Sequence, residues 1–460
     1  MGVTSELARF VVETDYKDMP PEAIAVSKQA LLDGLGCALA GSADVAGKIA
    51  SDYARSLGGN QEAGIIGSGF AAPAPEAAMV NGTMAHALDY DDVCRDWNGH
   101  PTVVLLPVLL ALGEKHRLSG KQALAAYVLG VEIGGRIGAQ FFEGHYKRGF
   151  HSTATLGALA AAAAASKLLG LDLHRTVMAL GIAGSMAAGL RLNFGTMTKP
   201  FHAGNAARNG IVSAMLAQRG FTADENIIEG SYGYCYALAG EGEIAYAKMG
   251  QGLGQPFEVI KPGLAMKPYP CCRAAHRCID GMLALVGSRD RFTAEDVDAV
   301  ECVTSDWLPR VLIHAGPKDG LQGKFSMQYL MARAILDGAI RLAHFTDEKV
   351  LDPKAQALMR KVKFVHTPDR LGYEGRRLAE IVRVKLRGGR DLERAVGAAK
   401  GDPSNPMSKD ELVGKYRDCA EAALPPSDIE RSLEMVFNLE RLEDMGDLSR
   451  VVGRTGASAG

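Results

Sequence analysis

The stretch that most limits the fold of this chain runs from residue 152 to residue 172 and reads STATLGALAAAAAASKLLGLD. Alanine and leucine are strong helix formers, so this stretch predicts a long helix. Because its side chains are small, neighbouring helices can approach it closely. The next segment, 173–190, reads LHRTVMALGIAGSMAAGL and continues the same pattern. The sequence therefore predicts a bundle of tightly packed, partly buried helices.

Residues 1–266 are expected to be almost entirely helical. Pro20 and Pro21 stand before the run EAIAVSKQALLDGLGCALAG, which ends at Gly41. Proline near a helix start and glycine at its stop are the usual boundary signals. The glycines within 129–138 interrupt a helical pattern and follow no strand, so they do not indicate a phosphate-binding loop. This part of the chain predicts a large all-helical domain.

The hydrophobic period changes further along the chain. In 381–389, IVRVKLRGG, apolar residues alternate with basic ones, which predicts a half-exposed strand. The segments 361–365 and 299–305 are weaker strand candidates, and 325–345 predicts a helix between them. Strands and a helix together predict a smaller α+β domain over residues 267–399.

The C-terminal part begins with a turn-rich linker, GDPSNPM, and two predicted helices follow it. Each helix opens with a candidate capping box, in which a serine and a glutamate three residues later bond to each other's backbone N–H groups. These pairs are Ser408 with Glu411 and Ser427 with Glu430. Residues 453–460 are expected to form a disordered tail.

Composition narrows the class of protein. Of the 460 residues, 47% are hydrophobic and 23% are charged, with a formal net charge of −2, which is typical of a soluble globular protein. The near-neutral charge and an aromatic content of only 6% argue against a nucleic-acid partner. The N-terminus lacks the basic start and apolar segment of an export signal. The apolar runs fall short of the roughly 20 residues of a membrane span. We therefore expect a cytoplasmic protein with no membrane partner.

The eight cysteines do not indicate a metal site. Most of them are isolated in apolar surroundings, which suits reduced core thiols better than disulfides. Cys271, Cys272 and Cys278 lie close together, but their spacing matches no zinc or iron–sulfur template and no second cluster completes a ligand set. We expect no bound metal.

Polar residues concentrate in residues 81–102, NGTMAHALDYDDVCRDWNGHPT, directly before the apolar run VVLLPVLLAL. His86 and Asp89 are three residues apart, as are Asp89 and Asp92, so on a helix they would share one face. Such a face could orient a histidine or bind a cation. The alternative is a group of carboxylates at a helix N-terminus, stabilised by the helix dipole. Both interpretations remain open for Asp89, whereas a structural role is favoured for His86, Asp91 and Asp92.

Later segments add imidazole and ammonium groups. His100 and His151 each stand at a loop-to-helix junction, where a histidine can face a cleft and transfer protons near neutral pH. Lys199 stands in TMTKPFHAGN, a segment otherwise thin in charge, which suggests that it binds a substrate carboxylate or transfers a proton. His202 and Arg208 are interpreted as supporting residues.

A fourth segment, MKPYPCCRAAHRCID at 266–280, contains Lys267, Arg273 and His276 at spacings that suit one loop or helix start. Cationic groups in such a segment favour a small polyanionic ligand. His276 is the preferred functional residue among them.

Taken together, these segments resemble the 2-methylcitrate dehydratase (MmgE/PrpD) family. Six or seven segments recur in order between residue 81 and about residue 412. They are NGTMAHALDYDDV, GHPT, GFHST, GTMTKPFHAGNAARNG, KPYPCCRAAHRCID, FSMQYLMARAILDG and GDPSNPMSKDEL. The likeness covers most of the chain.

The resemblance implies a mainly α protein with a large all-helical domain, completed by the C-terminal helices of 400–452, and a smaller α+β domain. It also implies an active cleft between the domains, a homodimer, and neither metal nor organic cofactor. The functional positions that it implies by motif are Asp89, His100, His151, Lys199, His276 and Tyr329. The family includes dehydratases, decarboxylases and epimerases. Val93 stands where decarboxylase-like members have threonine, which argues against decarboxylation.

The leading hypothesis is a cofactor-independent hydro-lyase that acts on a small di- or tricarboxylic acid. A base removes a proton α to a carboxylate, and cationic groups stabilise the enediolate-like charge. His100, His151 and Tyr329 are the candidate acids and bases. The candidate groups for holding the anion are Lys199, His276, Lys267 and Arg273. The alternative is an epimerase of an amino- or imino-dicarboxylate; a decarboxylase or a non-catalytic binding protein is less favoured.

Overall fold

The computed structural model describes residues 2–240, 242, 244–288, 292–305, 308–366 and 379–453. The predicted tail from 454 onward lies outside the described residues. The α-helices are α1 Val3–Glu13, α2 Pro21–Ser42, α3 Val45–Leu57, α4 Ala74–Ala87, α5 Thr102–His116, α6 Gly120–Lys147, α7 Ser152–Leu168, α8 Leu173–Met186, α9 Thr198–Gln218, α10 Tyr234–Ala239, α11 Tyr246–Gly250, α12 His276–Val286, α13 Gly320–Gly323, α14 Met327–Asp337, α15 Asp347–Val350, α16 Pro353–Met359, α17 Lys409–Ala420, α18 Pro426–Phe437 and α19 Gly446–Val452.

The strands are fewer and shorter than the helices. They are β1 Ala63–Gly64, β2 Ala71–Ala72, β3 Val93–Cys94, β4 Leu264–Ala265, β5 Val297–Thr304, β6 Val362–His366, β7 Glu380–Leu386 and β8 Asp391–Val396. The first four form two antiparallel pairs, β1 with β2 and β3 with β4. The last four form one sheet in the order β6-β5-β7-β8. The mainly α class with a smaller α+β part is confirmed.

The described residues fall into two compact units. The helical unit lies within Met1–Asn193, Met197–Met266 and Ser408–Gly460, and the mixed unit lies within Phe194–Thr196 and Lys267–Met407. The helical unit therefore contains α1–α11 together with α17–α19, and the mixed unit contains α12–α16 and the four-stranded sheet.

Helix packing in the helical unit depends on glycine at the crossing of α4 and α9. A Cβ atom added to Gly204 would lie 1.9 Å from the carbonyl oxygen of Met79, and one added to Gly82 would lie 2.7 Å from the Cα of Gly204. The two backbones are thus in direct contact, closer than side chains would allow. This contact places the C-terminal end of α4 next to the N-terminal end of α9. Both ends carry residues of the candidate site.

The small-residue helix predicted from the sequence is the buried α7. It ends at Leu168, four residues before the predicted stop, and Gly170 follows with φ of +62°. Glycine adopts this left-handed conformation without steric cost and therefore terminates the helix. The glycines of 129–138 lie inside α6, which confirms that they belong to a helix.

One helix among the described residues, α2, is long and apolar enough to cross a membrane on length and composition alone. Its most apolar window of 18 residues is 78% buried inside the protein, and the core helix of a soluble protein passes the same test. The apolar character of α2 is accounted for by its packing against other helices.

The mixed unit is organised around its sheet. β5 pairs in parallel with β6 and antiparallel with β7, which in turn pairs antiparallel with β8. The three strands predicted from the sequence are therefore present as β5, β6 and β7. The sequence does not predict β8, DLERAV, because half of its residues are charged and most of them are exposed, as in an edge strand.

Two helix predictions near the C-terminal side need correction. The helix predicted over 325–345 is α14, which ends at Asp337 because Gly338 adopts a left-handed conformation with φ of +62°. The capping box of Ser408 and Glu411 opens α17 as predicted. The box of Ser427 and Glu430 is wrong, because α18 begins with Pro426 at its first turn and Pro425 as N-cap. Proline already has the helical φ at that position.

The eight cysteines are free thiols, and seven of them are buried. Cys272 is the partly exposed one. This agrees with the expectation of reduced core thiols.

Candidate functional site

Three helix ends and one loop of the helical unit bring ionisable side chains together. His86 lies in the last turn of α4, and the loop from 88 to 101 follows it. His151 is the N-cap residue of α7, and Lys199 lies in the first turn of α9. All of these positions came from separate sequence motifs, and the fold places them in one buried cluster.

The helix face proposed for His86, Asp89 and Asp92 does not exist. α4 ends at Ala87, so the aspartates lie in the loop beyond its C-terminus and not at a helix N-terminus. Asp89 has φ of +52°, a left-handed conformation that non-glycine residues adopt rarely. Such a backbone persists only when its surroundings hold it in place.

Asp91 joins two imidazole rings. Its Oδ1 lies 2.9 Å from Nδ1 of His86, and its Oδ2 lies 2.7 Å from Nδ1 of His100. Burial would raise the pKa of Asp91, but the two histidines outweigh burial and hold this pKa well below its usual range. Asp91 is therefore a carboxylate, and it accepts hydrogen bonds from both rings.

The tautomers of both rings follow from these contacts. Nδ1 of His100 also lies 2.8 Å from the carbonyl oxygen of Asp92. A carbonyl oxygen only accepts, so this nitrogen carries a proton, and Nε2 is the nitrogen through which the ring can take up or release a second proton. The Nε2 of His86 lies 3.0 Å from Nζ of Lys199 and accepts from the ammonium. His86 is thus held from both sides as a neutral imidazole.

Lys199 lies at the centre of this arrangement. Its side chain is only 6% exposed, and its Nζ lies 2.7 Å from Oδ1 of Asp89, which is equally buried. Burial, together with Lys199 and His100, lowers the pKa of His86 to about 3, although Asp91 opposes the change. Lys199 therefore lies between the carboxyl group of Asp89 and a neutral imidazole, that of His86.

His151 extends the cluster towards His202. The two Nδ1 atoms are 3.1 Å apart, and the rings of His86 and His151 have centroids 6.1 Å apart. Burial and the positive charge of Lys199 lower the pKa of His151 well below 6.5 and that of His202 to about 4. Both rings are neutral near pH 7, so one donates to the other. His202 was interpreted as a supporting residue, and its contact with His151 agrees with that interpretation.

Asp92 has a separate environment. It is fully buried, and its carboxyl accepts from the hydroxyl of Thr102 at 2.6 Å and from the backbone N–H of Thr102 at 3.3 Å. Burial raises the pKa of Asp92 to about 8, and the charges of Asp91 and Asp33 add to this increase. Asp92 is therefore protonated near neutral pH. Its contacts fix the start of α5, which agrees with the structural role favoured from the sequence.

Four of these residues have the donor atoms of a metal site. His86, Asp89, Asp91 and His100 each offer one ligand atom, and the four atoms lie within 4.8 Å of one another. Histidine and carboxylate ligands are typical of zinc. Lys199 contacts two of the four residues, so its ammonium supplies positive charge next to this group. We therefore assign the role of the cation to Lys199.

The remaining predicted residues belong to the mixed unit. Lys267 and His276 are fully buried, and Nε2 of His276 lies 3.3 Å from the carbonyl oxygen of Cys271. Arg273 pairs with Asp402 at 2.8 Å. Tyr329 is buried in the core of this unit, and its hydroxyl donates to the carbonyl oxygen of His344. This contact suits a structural tyrosine, and the functional roles of these four residues stay predictions.

The structure gives two residues of the cluster a larger role than the sequence predicts. A structural role was favoured for Asp91 and His86, yet together they set the tautomers of the site. The available signal was the number of such residues: two histidines and four aspartates within fifteen residues, from His86 to His100, exceed what capping requires. Their pairing depends on where α4 ends, which the sequence pattern did not indicate.

The buried neutral histidines predict that acid destabilises the fold. A histidine with a folded pKa below its unfolded value binds more protons when unfolded, so stability falls as pH falls between the two values. Burial and Arg191 lower the pKa of His145, which lies outside the cluster, from 6.5 to about 4. Each such histidine is expected to lower the free energy of unfolding by about 2 kcal/mol when the pH falls from 7 to 5.

Urea unfolding at both pH values measures this loss. Between pH 7 and pH 5, the free energy of unfolding of His145→Gln should fall by about 2 kcal/mol less than that of the wild type. His174→Gln, at an exposed position of α8, is the matched control and should lose as much as the wild type. Equal losses in the wild type and His145→Gln would contradict the prediction.

Comparison with known proteins supports the resemblance seen in the sequence. The model of the MmgE/PrpD N-terminal domain matches residues 5–247, and that of the MmgE/PrpD C-terminal domain matches residues 269–441. The chain is 29% identical to cis-aconitate decarboxylase of Mus musculus over 98% of this chain and 93% of that protein. It is 27% identical to cis-aconitate decarboxylase of Aspergillus terreus, over 97% and 95% of the two chains. It is 25% identical to 2-methylcitrate dehydratase of Cupriavidus necator, over 94% and 93%.

Proposed function

Because this chain belongs to the MmgE/PrpD family, we propose that it is a lyase of a small di- or tricarboxylic acid, and specifically a hydro-lyase. Its relatives are lyases named for tricarboxylic substrates, which supports the reaction class. In the proposed reaction, a base removes the proton α to a carboxylate. The bond between the β-carbon and its hydroxyl oxygen then breaks, and this oxygen takes the proton from the protonated base and leaves as water. Deprotonation of this kind needs a positioned base and a positive charge near the developing enediolate.

The observation that carries the proposal is the position of Lys199. Its ammonium lies 2.7 Å from Asp89 and 3.0 Å from His86, inside a cluster that also contains His100 and His151. Charge that develops on a substrate carboxylate would be stabilised there by a buried cation that needs no reorganisation.

His100 is the proposed base. Its Nδ1–H is held by Asp91 and by the carbonyl oxygen of Asp92, so Nε2 is the nitrogen that accepts a proton. At 12% exposure its side chain is more accessible than that of His86, which is fully buried. The carboxylate of Asp91 stabilises the imidazolium that forms when His100 takes the proton.

His151 is the proposed donor towards the leaving oxygen. A neutral imidazole can donate an N–H hydrogen bond to developing negative charge without carrying a charge itself. The N-terminus of α7, where His151 is the N-cap, favours a bound carboxylate. The anion-binding roles of Lys267, Arg273 and His276 stay predictions from the sequence.

Decarboxylation is the second candidate. The cis-aconitate decarboxylases among the relatives are 27–29% identical to this chain, whereas the 2-methylcitrate dehydratases are 23–25% identical. Against decarboxylation stands Val93 of β3, because the family resemblance implies threonine at this position in decarboxylase-like members. Epimerisation of an imino-dicarboxylate would begin with the same proton removal and differ only in the reprotonation step.

One experiment separates these reactions. The protein is incubated in deuterium oxide with 2-methylcitrate, cis-aconitate and an imino-dicarboxylate, and the products are followed by NMR. A new alkene with loss of water supports the hydro-lyase. Release of carbon dioxide would show instead that the protein is a decarboxylase. Inversion of the α-carbon with incorporation of deuterium would show that it is an epimerase. Substrates recovered without deuterium or change would contradict all three.

We also propose that the protein forms a homodimer through α3. Four apolar side chains occur at every fourth position of this helix, which places them on one face. They are Val45, Ile49, Tyr53 and Leu57, here called the apolar stripe, and each is more than half exposed. A contiguous exposed apolar surface of this kind marks an interaction site more often than a solvated face.

Features next to the apolar stripe favour a second copy of this chain as the partner. Ile49 and Tyr53 also line a groove of about 610 Å³, so one surface offers both protruding side chains and a space for them. The charges in this groove, Glu76 and Arg208, pair with each other at 2.7 Å. These two groove charges therefore neutralise each other when two identical surfaces meet about a two-fold axis.

Substitution of the apolar stripe tests the homodimer. The variant Ile49→Asp/Tyr53→Asp is expected to sediment as a monomer, because two buried carboxylates would oppose association. Leu351→Asp is the matched control, since Leu351 is 56% exposed but lies outside the stripe. It should remain dimeric. A monomeric wild type, or a dimeric double variant, would contradict the proposal.

A further inference from the structure

A buried ion pair outside the cluster contacts the loop that carries Asp89 and Asp91. Asp33 lies on α2 and Lys415 on α17, and Nζ of Lys415 is 2.6 Å from Oδ1 of Asp33. Their side chains are 0% and 3% exposed, respectively. Burial of a charged pair costs several kcal/mol of desolvation, which such a pair does not always recover. A role beyond stability is therefore worth testing for it.

The ammonium of Lys415 makes two contacts with Tyr90. It donates to the carbonyl oxygen of Tyr90 at 2.7 Å, and it lies 3.7 Å from the centroid of the Tyr90 ring. Tyr90 stands between Asp89, which holds Lys199, and Asp91, which holds both imidazoles. The pair thus contacts the loop at the residue between these two aspartates.

The loop needs such a contact. Asp89 has a left-handed backbone with φ of +52°, and conformations of this kind cost about 1 kcal/mol or more unless neighbours impose them. The side-chain hydrogen bonds of Asp89 and Asp91 do not fix the backbone carbonyl group of Tyr90, which lies between them. Lys415 supplies a donor to that carbonyl, and the carboxylate of Asp33 pairs with this donor. Burial lowers the pKa of Lys415, but Asp33, together with Cys37, Tyr90 and Cys419, more than offsets this, so the pKa is raised.

We propose that Asp33 and Lys415 are positioning residues, which hold the Tyr90 carbonyl and thereby keep Asp89 and Asp91 in the geometry that the reaction requires. The kinetic part of this inference rests on the proposed function. Displacement of reacting groups by about 1 Å can cost on the order of 100-fold in rate, even when the substituted residue lies away from the chemistry.

The double variant Asp33→Asn/Lys415→Met tests the inference. Removing both charges avoids an unpaired buried charge, which would destabilise either single variant. We expect thermal stability close to that of the wild type, kcat lower by about 10- to 100-fold, and KM within about threefold. Amide hydrogen exchange in the peptide from 88 to 95 should be faster than in the wild type.

A matched pair on the same helix serves as control. Lys28 of α2 donates to the carbonyl oxygen of Phe437 at 2.8 Å and pairs with Glu440 at 3.0 Å, but it does not contact the loop. Lys28→Met/Glu440→Gln should leave both kcat and the exchange of peptide 88–95 unchanged.

The kinetic and hydrogen-exchange measurements distinguish failure of the positioning role from failure of the proposed function. Unchanged kcat, or unchanged exchange in Asp33→Asn/Lys415→Met, would overturn the inference, because the pair would then serve stability alone. A wild type that converts none of the carboxylic acids would refute the proposed function. In that case the exchange measurement still decides whether the pair holds the loop.

Discussion

Lys199→Met is expected to reduce kcat/KM by about 10³-fold, because the cluster loses the buried cation that is proposed to stabilise the enediolate. The substitution also leaves Asp89 as a carboxylate that is 4% exposed and has lost its ammonium partner. Breaking a buried pair in this way destabilises a protein by about 3–5 kcal/mol. Loss of activity in this variant alone could therefore reflect loss of the fold.

A second substitution separates these effects. Lys199→Met/Asp89→Asn removes both charges, so it should unfold near the wild-type temperature and remain as inactive as Lys199→Met. Steady-state kinetics and thermal unfolding of the two variants measure this difference. Lys167→Met is the control, because Lys167 also forms an ion pair in the helical unit, with Asp15 at 2.8 Å, but lies outside the cluster. A stable double variant with more than a tenth of wild-type activity would remove Lys199 from the mechanism.

The sequence predicted the positions of the site better than its contacts. His100 and His151 were expected at loop-to-helix junctions, and they lie directly before α5 and at the N-cap of α7. Helix boundaries depend on local signals such as proline and glycine, which are visible in one sequence. Lys199 was expected to bind an anion, and its partner in the structure is the carboxylate of Asp89. That partner is 110 residues away and could not be inferred locally.

The sequence predicted the elements of the fold that have a regular pattern of residues over many positions. The small-residue segment became the buried α7, and alternating residues became β7. Errors arose where one residue decided the structure: Gly338 ends α14 early, and Pro426 replaces a capping serine. The end of α4 at Ala87 is an error of the same kind, and it changed the interpretation of three aspartates. A shared helix face was expected for Asp89 and Asp92, whereas the loop gives each aspartate its own partners.

Asp91→Asn is expected to reduce kcat by about 10³- to 10⁴-fold, because an amide cannot accept hydrogen bonds from both imidazoles. Its oxygen can accept from one ring, and its NH₂ group would face the Nδ1–H of the other. The carbonyl oxygen of Asp92 requires the proton on Nδ1 of His100, so that ring cannot change tautomer without losing this bond. His100 would turn or become disordered, and its basic nitrogen would lose its position.

Asp92→Asn is the matched control for Asp91→Asn, since both aspartates are fully buried and adjacent. Their ionisation states differ: the two imidazoles hold the pKa of Asp91 well below its usual range against the effect of burial, whereas burial raises that of Asp92 to about 8. Near pH 7 an asparagine therefore replaces a neutral carboxyl of the same shape at 92, and a charged one at 91. We expect kcat of Asp92→Asn within about threefold of the wild type. If both substitutions reduced kcat equally, the loss would come from packing and not from the charge that orients His86 and His100.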